Sequence, residues 1–435
     1  MVKNIFVFGL NAFNREKLEA LDDADQYRFH GLIDLNKLKD ATSYDFHALL
    51  SEAQEQLDRF NGSIDAIINF WDFPASVLHP ILCKEHKLPG PSLESVILCG
   101  NKGLSRLEQR RVIAEYIPHF SIFDPFADDP LNQVEIDFPF WIKPLLSYSS
   151  YLGFRITDKA DFYKHIQTIR DNIDRYAKPY AELLQHVDLD ESLKKYTAHH
   201  CIAEEIISSG RQCTVEGYSY QNKVDTYGIV DSLRFPNGVS FSSYQYPSVL
   251  PDHIKQSIHK ASKTIIEHIG FDQSAFNIEY FYDEASDRLS LLEINSRISQ
   301  SHAPLFKKVD GASNHRVVVD LGLGKKPDFP HRQGDYTYAA KIFARRFSDA
   351  LVTRVPSMEE INRAQQQTPG CANIIVPVKQ GKRLSELLDQ DSYSYQYAIV
   401  YLGAQSIHEL EHNYKQVMKA LPFDFEPVDG TANTP

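Results

Sequence analysis

The feature that most restricts the fold of this chain is a pair of β-patterned runs within residues 275–297, joined by a polar stretch at residues 283–287. A polar joint between two such runs predicts a β-hairpin. Side chains alternate along a strand, so Glu293, Asn295 and Arg297 are expected on one face of the second strand. That strand presents an acid, an amide and a guanidinium in a row.

A second acid, Glu279, falls opposite Glu293 if the hairpin turns near Ser286. Two like charges that face each other in a sheet are destabilising. A hard dication between them reverses that sign, and Mg²⁺ takes carboxylate and amide oxygens together with phosphate oxygens. The arrangement therefore predicts Mg²⁺, for which Mn²⁺ can substitute, and a polyphosphate. The alternative is a solvated polar face on an edge hairpin.

The composition is that of a folded chain with several domains. At 435 residues the chain is too long for one ordinary core, so we expect two or three domains, or one unit of several lobes. Hydrophobic residues make up 43% and aromatic residues 12%, which is not the composition of a disordered chain. The net charge of −12 repels phosphate backbones and anionic lipid heads, so nucleic acid is not expected as the main partner.

Cysteine usage and hydropathy favour a reducing, aqueous compartment. The five scattered cysteines include no C-x-x-C pair and suggest neither a zinc site nor a disulfide framework. No stretch approaches the ~18 consecutive apolar residues of a membrane span, and the apolar run at the start is too short for a signal peptide. We therefore expect a cytoplasmic location and no membrane partner.

Hydrophobic patterns divide the chain into a series of α/β segments. The first has the βαβ rhythm of a parallel sheet, with strands at 4–10, 27–33 and 66–71 and helices at 15–21 and 46–60. Further strands are predicted at 138–144, 201–207, 213–220, 224–234, 336–345, 372–378 and 395–402. Helices are predicted across 158–198 and at 251–268, 314–323, 358–366 and 406–420. The predicted domains are 1–95, 96–328 with a helical insertion at 158–198, and 329–425, followed by a tail at 426–435.

The run Glu-Ile-Asn-Ser-Arg at 293–297, preceded fourteen residues earlier by a strand acid, resembles the metal-binding signature of the ATP-grasp superfamily. The resemblance is to its carboxylate–amine ligases and biotin-carboxylase-like members. It implies an α/β fold class, with an N-terminal Rossmann-like pre-ATP-grasp domain, a two-lobed α+β ATP-grasp fold and a small C-terminal α+β domain. It also implies that Glu279, Glu293 and Asn295 bind magnesium. Arg297 would hold the transferred phosphate or the acyl phosphate, which suits a bidentate guanidinium.

Upstream segments follow the order of the family's phosphate-binding elements. The resemblance implies that Lys102, at the head of a helix, and Lys143, inside an apolar β run, neutralise ATP phosphates. A loop at 147–153 would fold over the phosphates; Gly153 is its remaining glycine, while Ser149 and Ser150 supply hydroxyl donors. The alternatives are a surface helix charge for Lys102 and a plain surface turn for the loop.

The nucleotide base and sugar would be held by the segment that follows. The resemblance implies a linker around Glu204, Glu205 and Ile206, whose backbone reads the adenine edge. Gln212 stands closest to the position of the family's ribose-binding acid, and Glu216 can share that role. The alternative is an ordinary linker strand.

His302, just after the metal signature, lies where members of the family place substrate-facing loops. It could orient a substrate or take a proton, or it could be a structural histidine. The resulting expectation is an ATP-dependent ligase that joins a small-molecule carboxylate to an amine through an acyl phosphate, releasing ADP and phosphate. A biotin-carboxylase-like or acid–thiol ligase and a non-catalytic ATP-binding regulator are the alternatives, and a homodimer is left open.

Overall fold

The computed structural model describes residues 2–39, 43–147, 151–184, 187, 189–196, 198–208, 210–371, 373–387 and 393–428. Within this part of the chain, sheets and helices are both present, as the predicted mixed α/β fold class requires.

The N-terminal segment forms a three-stranded parallel sheet in the order β2-β1-β3. Its elements are β1 (Lys3–Phe8), α1 (Ala12–Glu19), β2 (Tyr27–Leu32), α2 (Leu35–Lys39), α3 (Phe46–Asp58), β3 (Ala66–Ile68) and α4 (Ala75–Glu85). The side chains of Asn11 and Asp45 accept backbone N–H groups at the starts of α1 and α3, which sets where both helices begin. The predicted βαβ rhythm is confirmed, and α4 was not predicted.

A second layer carries a four-stranded antiparallel sheet in the order β4-β7-β5-β6. Its elements are α5 (Leu93–Gly100), α6 (Lys102–Val112), β4 (Phe120–Phe123), β5 (Phe140–Pro144), β6 (Phe154–Ile156), α7 (Lys159–Asn172), α8 (Asp174–Leu184), α9 (Glu191–Lys194) and β7 (Cys201–Glu205). The helices predicted across 158–198 are thus confirmed for the described residues. Asn101 caps α6 by accepting the Leu104 N–H, which places Lys102 in the first helical turn.

The largest sheet has eight strands among the described residues, in the order β12-β11-β8-β9-β10-β13-β16-β15. Its first half and the helices around it are β8 (Arg211–Tyr220), β9 (Lys223–Arg234), β10 (Phe241–Tyr246), α10 (Asp252–Ile269), β11 (Ser274–Asp283), β12 (Arg288–Asn295), α11 (Ala303–Val309) and α12 (His315–Gly322). The predicted hairpin is the β11–β12 pair, at the edge of this sheet.

The C-terminal segment extends that same sheet. Its elements are β13 (Tyr338–Arg346), β14 (Ala350–Arg354), α13 (Met358–Gln367), β15 (Asn373–Ile375), β16 (Tyr395–Ala404), α14 (Ile407–Ala420) and β17 (Asp424–Pro427). Tyr246 of β10 pairs with Ala339 of β13, so backbone hydrogen bonds run from the middle of the chain into this segment. A small C-terminal α+β unit is present, but its main strands belong to the central sheet. The predicted domain boundaries themselves stay predictions.

One hydrophobic cluster reaches from the N-terminal sheet through α6 and the four-stranded sheet to β11 and β12. The N-terminal sheet, the four-stranded sheet and the β11–β12 hairpin therefore share one hydrophobic core. In the part of the chain that the structure describes, no helix is long and apolar enough to cross a membrane.

Candidate active site

Two carboxylates face each other on the edge hairpin. Glu279 of β11 pairs with Glu293 of β12, and Asn277 pairs with Asn295. Gln212 of β8 donates its Nε2 to Glu279 Oε2 at 2.7 Å. Burial and the neighbouring Glu293 charge raise the pKa of Glu279 above its ordinary value. The pair is therefore unfavourable as it stands and is suited to a bound cation.

The donor set fits a hard divalent cation. Asn295 donates its Nδ2 to Asn277 Oδ1 at 3.0 Å, so the amide group of Asn295 keeps its oxygen for another contact. The described residues contain no cluster of three or more His, Cys, Asp and Glu side chains able to hold a metal. A metal at the hairpin would thus take two carboxylates and an amide, and the remaining ligands would come from water or phosphate oxygens, as Mg²⁺ prefers.

Lys102 reaches this acidic pair from the first turn of α6. Its Nζ lies 3.8 Å from Glu293 Oε2 and donates to the carbonyl oxygen of Ser147 at 2.6 Å. Burial lowers the pKa of Lys102, while the Glu293 charge opposes that shift. Lys102 is therefore not the exposed helix charge that the sequence left open. It stands between the acidic pair and the start of the 147–153 loop.

Lys143 projects from β5 toward an inner carboxylate. Its Nζ lies 2.5 Å from Glu204 Oε2, and Arg106 Nε donates to Glu204 Oε1 at 2.7 Å. Burial would raise the pKa of Glu204, but the two cations outweigh it and lower the pKa to about 2. Arg106 also donates to the carbonyl oxygen of Leu292 at 2.7 Å. One carboxylate and one arginine thus connect β5, β7, α6 and β12.

Arg297 follows β12 and is held by the N-terminal segment. It donates to Asp72 through Nε at 2.7 Å and through the Nη2 nitrogen at 2.8 Å, a bidentate pair. Burial disfavours its charge, but Asp72 and then Glu279 and Glu293 outweigh burial, so the pKa of Arg297 rises. The guanidinium therefore stays charged beside the acidic pair. The site combines two acids, an amide, two lysines and one arginine.

Part of this chain is similar in sequence to known proteins. Residues 245–327 match the family described as the carbamoyl-phosphate synthase L chain, ATP binding domain. The carbamoyl phosphate synthase large chain of Mesorhizobium japonicum is 23% identical over 224 residues, which cover 51% of this chain and 17% of that protein. The aligned part is thus a small fraction of the length of that relative.

Solved structures extend the likeness to nearly the whole chain. An L-amino acid ligase from Bacillus licheniformis has a TM-score of 0.70 at 15% identity and covers 98% of this chain and 99% of the ligase. The biotin carboxylase domain dimer of Hydrogenobacter thermophilus 2-oxoglutarate carboxylase, in complex with MgADP, ADP and bicarbonate, has a TM-score of 0.65 at 13% identity. That likeness covers 98% of this chain and 91% of the carboxylase domain. The chain has the ATP-grasp fold.

The ATP-grasp resemblance gave Glu216 a share in ribose binding and His302 a substrate-facing position, but both side chains lie in the interior. Glu216 is fully buried and accepts hydrogen bonds from the Ser299 N–H and the Tyr227 hydroxyl. His302 is buried as well, with its Nδ1 2.9 Å from Glu216 Oε1. Ribose binding by Glu216 and substrate or proton handling by His302 do not fit this placement. Both residues support the turn that follows β12.

The surroundings of Gln212 also differ from those expected for a ribose-binding residue. Its amide oxygen accepts a hydrogen bond from Arg234 of β9 while its amide nitrogen donates to Glu279 of β11, so both ends of the amide are engaged within the eight-stranded sheet. A ribose contact does not fit this arrangement. Gln212 instead fits the role of a group that orients Glu279.

The segment predicted to be the linker, around Glu204, Glu205 and Ile206, forms the end of β7 and the residue after it. Glu205 ends β7 and forms a bidentate pair with Arg288, at 2.8 Å and 3.0 Å. The backbone at Glu205 and Ile206 lies at the end of the strand, and adenine contact through it stays a prediction. The phosphate contact of Gly153 is a prediction in the same sense. Ser149 and Ser150 lie outside the described residues.

Lys341 of β13 was not singled out from the sequence. Its Nζ donates to Ser301 Oγ at 3.2 Å and lies 5.6 Å from the ring centre of Tyr244 and 5.0 Å from that of Phe343. Burial and the neighbouring Arg345 lower the pKa of Lys341 to about 8. Among the described residues no carboxylate lies within ion-pair distance of this ammonium. The sequence signal that drew attention to Lys143, a lysine inside an apolar β run, is also present at Lys341 and could have identified it.

Proposed function

We propose that this protein is an ATP-dependent carboxylate–amine ligase, which forms an amide through an acyl phosphate and releases ADP and phosphate. The observation that carries the proposal is the facing pair Glu279 and Glu293, with Asn295 beside it and Lys102 3.8 Å from Glu293. Such a pair suits a magnesium-bound polyphosphate.

Each residue of the site has a part in this reaction. Glu279, Glu293 and Asn295 would hold Mg²⁺, which supplies charge neutralisation to the phosphates when bound. Lys102 and Lys143 would neutralise phosphate oxygens, and Arg297 would stabilise the charge on the transferred group.

The chemistry balances without a covalent residue of the protein. A carboxylate oxygen of the substrate attacks the γ-phosphorus of ATP, and the bond to ADP breaks. The amine then attacks the carbonyl carbon of the acyl phosphate, phosphate leaves, and the amine proton passes to phosphate or solvent. Positioning and charge neutralisation are the main requirements of such phosphoryl transfer.

Lys341 supports an anionic substrate at the same site. It is an ammonium held among aromatic rings, and its described polar contact is the hydroxyl of Ser301. A sheltered cation of this kind is stabilised by an anionic partner. Ser301 follows the metal strand closely in the chain, so we place the substrate carboxylate, before activation, near Lys341.

The similar structures support this reaction class and one alternative. One is named an L-amino acid ligase, and the other is a biotin carboxylase domain described with MgADP and bicarbonate. ADP release should therefore be measured over a panel of amino acids, other carboxylic acids, amines and bicarbonate. ADP formation that requires both an acid and an amine supports the ligase. Turnover with bicarbonate and biotin, or with a thiol acceptor, favours the alternative ligases, and ATP binding without any turnover favours a regulator.

The metal assignment has its own test. Glu293→Gln removes one of the two facing charges, so Mg²⁺-dependent ATP binding should weaken and turnover should fall by about 100-fold or more. Isothermal titration with ATP, with and without Mg²⁺, measures the first effect. Glu284→Gln is the matched control, because Glu284 lies in the turn of the same hairpin and its side chain is 59% exposed. Full activity in Glu293→Gln would contradict the assignment.

A further inference from the structure

Asp72 brings a carboxylate from the N-terminal sheet to the phosphate end of the proposed site. It follows β3 by four residues, at the carboxyl end of a parallel strand, where open α/β sheets place ligand-binding groups. Its side chain is 34% exposed, so it lies at the edge of the cleft and not in the core.

The backbone on both sides of Asp72 is anchored. Asn69 accepts from the Trp71 N–H at 3.0 Å and donates to the Trp71 carbonyl oxygen at 2.7 Å, and Trp71 Nε1 donates to the Phe8 carbonyl oxygen at 3.0 Å. On the other side Phe73 is buried and packs edge-on against the ring of Tyr44. The backbone position of Asp72 is therefore held by its chain neighbours on both sides.

This carboxylate takes one edge of the Arg297 guanidinium. Two N–H groups go to Asp72, and Nη1 donates to the Ile298 carbonyl oxygen at 3.3 Å. A guanidinium has five N–H donors. The contacts made with described residues leave two of them for a ligand, which is the number that a phosphate group takes in a bidentate contact.

The pairing of Arg297 with Asp72 matters because two other acids also attract the guanidinium. The charges of Glu279 and Glu293 also act on Arg297. Without Asp72, these two carboxylates are the remaining acids whose attraction acts on Arg297, so its guanidinium is expected to turn toward them. It would then lie on the residues proposed to hold the metal and not on the phosphate.

We propose that Asp72 is a positioning residue, which holds Arg297 in the orientation needed to bind the phosphoryl group during transfer and keeps it away from Glu279 and Glu293. The N-terminal segment would thus contribute to the reaction through Asp72, although none of its side chains is proposed to bind phosphate directly. This inference rests on the proposed function, because it assigns a phosphoryl group to Arg297.

The test compares binding of MgADP with binding of MgADP plus aluminium fluoride, which imitates the phosphoryl group in transfer. Wild-type protein should bind the fluoride-containing complex more tightly than MgADP. Asp72→Asn should lose most of this increment, by about 100-fold, since a small displacement of a positioned group has effects of that size. Its affinity for MgADP alone should not change, an outcome that general unfolding would not give.

Three further variants separate positioning from mere stability. Asp72→Glu keeps the charge and should recover part of the increment. Adding Asp72→Asn to Arg297→Lys should cause no further loss, because a residue that acts through another gives non-additive effects. Asp65→Asn breaks a different ion pair of the same segment, Lys3 to Asp65 at 2.8 Å, and should bind both complexes as the wild type does.

The two proposals fail in different ways. A wild-type protein without any fluoride increment would overturn the proposed function and the Asp72 role together. A clear increment in the wild type that persists in Asp72→Asn would overturn the role of Asp72 alone. Additive losses in the double variant would likewise show that Asp72 does not act through Arg297.

Discussion

Lys341 is a cation whose charge depends on pH within the working range of most enzymes. Its rings and its single described polar contact, Ser301, leave the ammonium poorly compensated. Burial first, and then Arg345, lower its pKa to about 8. Because the charged form is the one disfavoured, Lys341 is an ammonium below that pH and a neutral amine above it.

This gives a prediction for substrate binding at the residue scale. If Lys341 holds the substrate carboxylate, kcat/KM for the acid should fall as the pH is raised through about 8. Lys341→Arg should remove that limb of the profile, because a guanidinium stays charged throughout this range. The exposed Lys326, changed to Arg, is the control and should leave the profile as it is. A wild-type profile that is flat between pH 7 and about 9.5 would contradict the assignment.

At the scale of elements, Arg106 forms a joint between α6, β7 and β12. From α6 it contacts Glu204 of β7 and the backbone of β12. Glu204 in turn receives Lys143 of β5. The strand that carries Glu293 is therefore connected to the sheet that carries Lys143 through side chains that are almost fully buried.

Breaking this joint should destabilise the protein. Arg106→Met keeps the apolar stem but leaves the buried Glu204 with one cation and the partly buried Leu292 carbonyl without this donor, so the free energy of unfolding should drop by about 3–5 kcal/mol. Urea denaturation measures the change. Arg111→Met is the control: Arg111 is 51% exposed in its pair with Glu108, and its loss should cost about 1 kcal/mol or less.

The same joint predicts a pH dependence of stability. Burial alone would raise the pKa of Glu204, but Lys143 and Arg106 lower it to about 2, below its ordinary 4.5. A depressed carboxyl pKa stabilises the folded state above the unfolded value and loses that contribution as the pH falls toward the folded value. The stability difference between wild type and Arg106→Met should therefore shrink between about pH 4.5 and pH 2. An unchanged difference over that window would show that Glu204 is not stabilised by Arg106.

Elements were predicted where their signals are local. The hairpin follows from alternation along two runs and from one polar turn, and the observed register confirms the facing of Glu279 and Glu293. The strand Phe241–Tyr246 and the helix Ala75–Glu85 were not predicted. The first is a short mixed run, and the second contains Pro80, which weakens a helical pattern.

The surroundings of a site residue could not be predicted from the sequence where its partners are far away in the chain. Asp72 and Arg297 are 225 residues apart, and Glu216 and His302 are 86 apart. Nothing in the pattern around Glu216 shows that strands and a turn bury it completely. The ribose assignment therefore does not fit the buried position of Glu216, whereas Lys102 and Lys143, which the resemblance singled out, stand beside acids of the site.

At the scale of the whole molecule, helix α8 contacts both the N-terminal segment and the residues that lead into strand β6 of the four-stranded sheet. Tyr176 of α8 stacks on Tyr44 with ring centres 5.9 Å apart and meets Phe73 and Tyr151 edge-on. Tyr151 belongs to the 147–153 loop, and Phe73 follows Asp72. Helix α8 therefore contacts two segments that are next in the chain to residues of the proposed phosphate site.

Removing this aromatic contact should loosen the molecule as a whole. Tyr176→Ala deletes a buried ring, so the free energy of unfolding should fall by about 3–5 kcal/mol. Amide hydrogen exchange should become faster in α8 and α3 together, because the two helices pack against each other. Phe126→Ala, at a ring that is 50% exposed, is the control. Faster exchange confined to α8 would mean that the insertion does not support the N-terminal segment.

The pairing of β10 with β13 has a consequence for any shortened version of the protein. A chain cut after Gly334 would lose β13, β16 and β15 and would leave the hydrogen-bonding edge of β10 open. Open sheet edges recruit strands from other molecules. Such a fragment should aggregate, even though it would keep every residue of the proposed metal site.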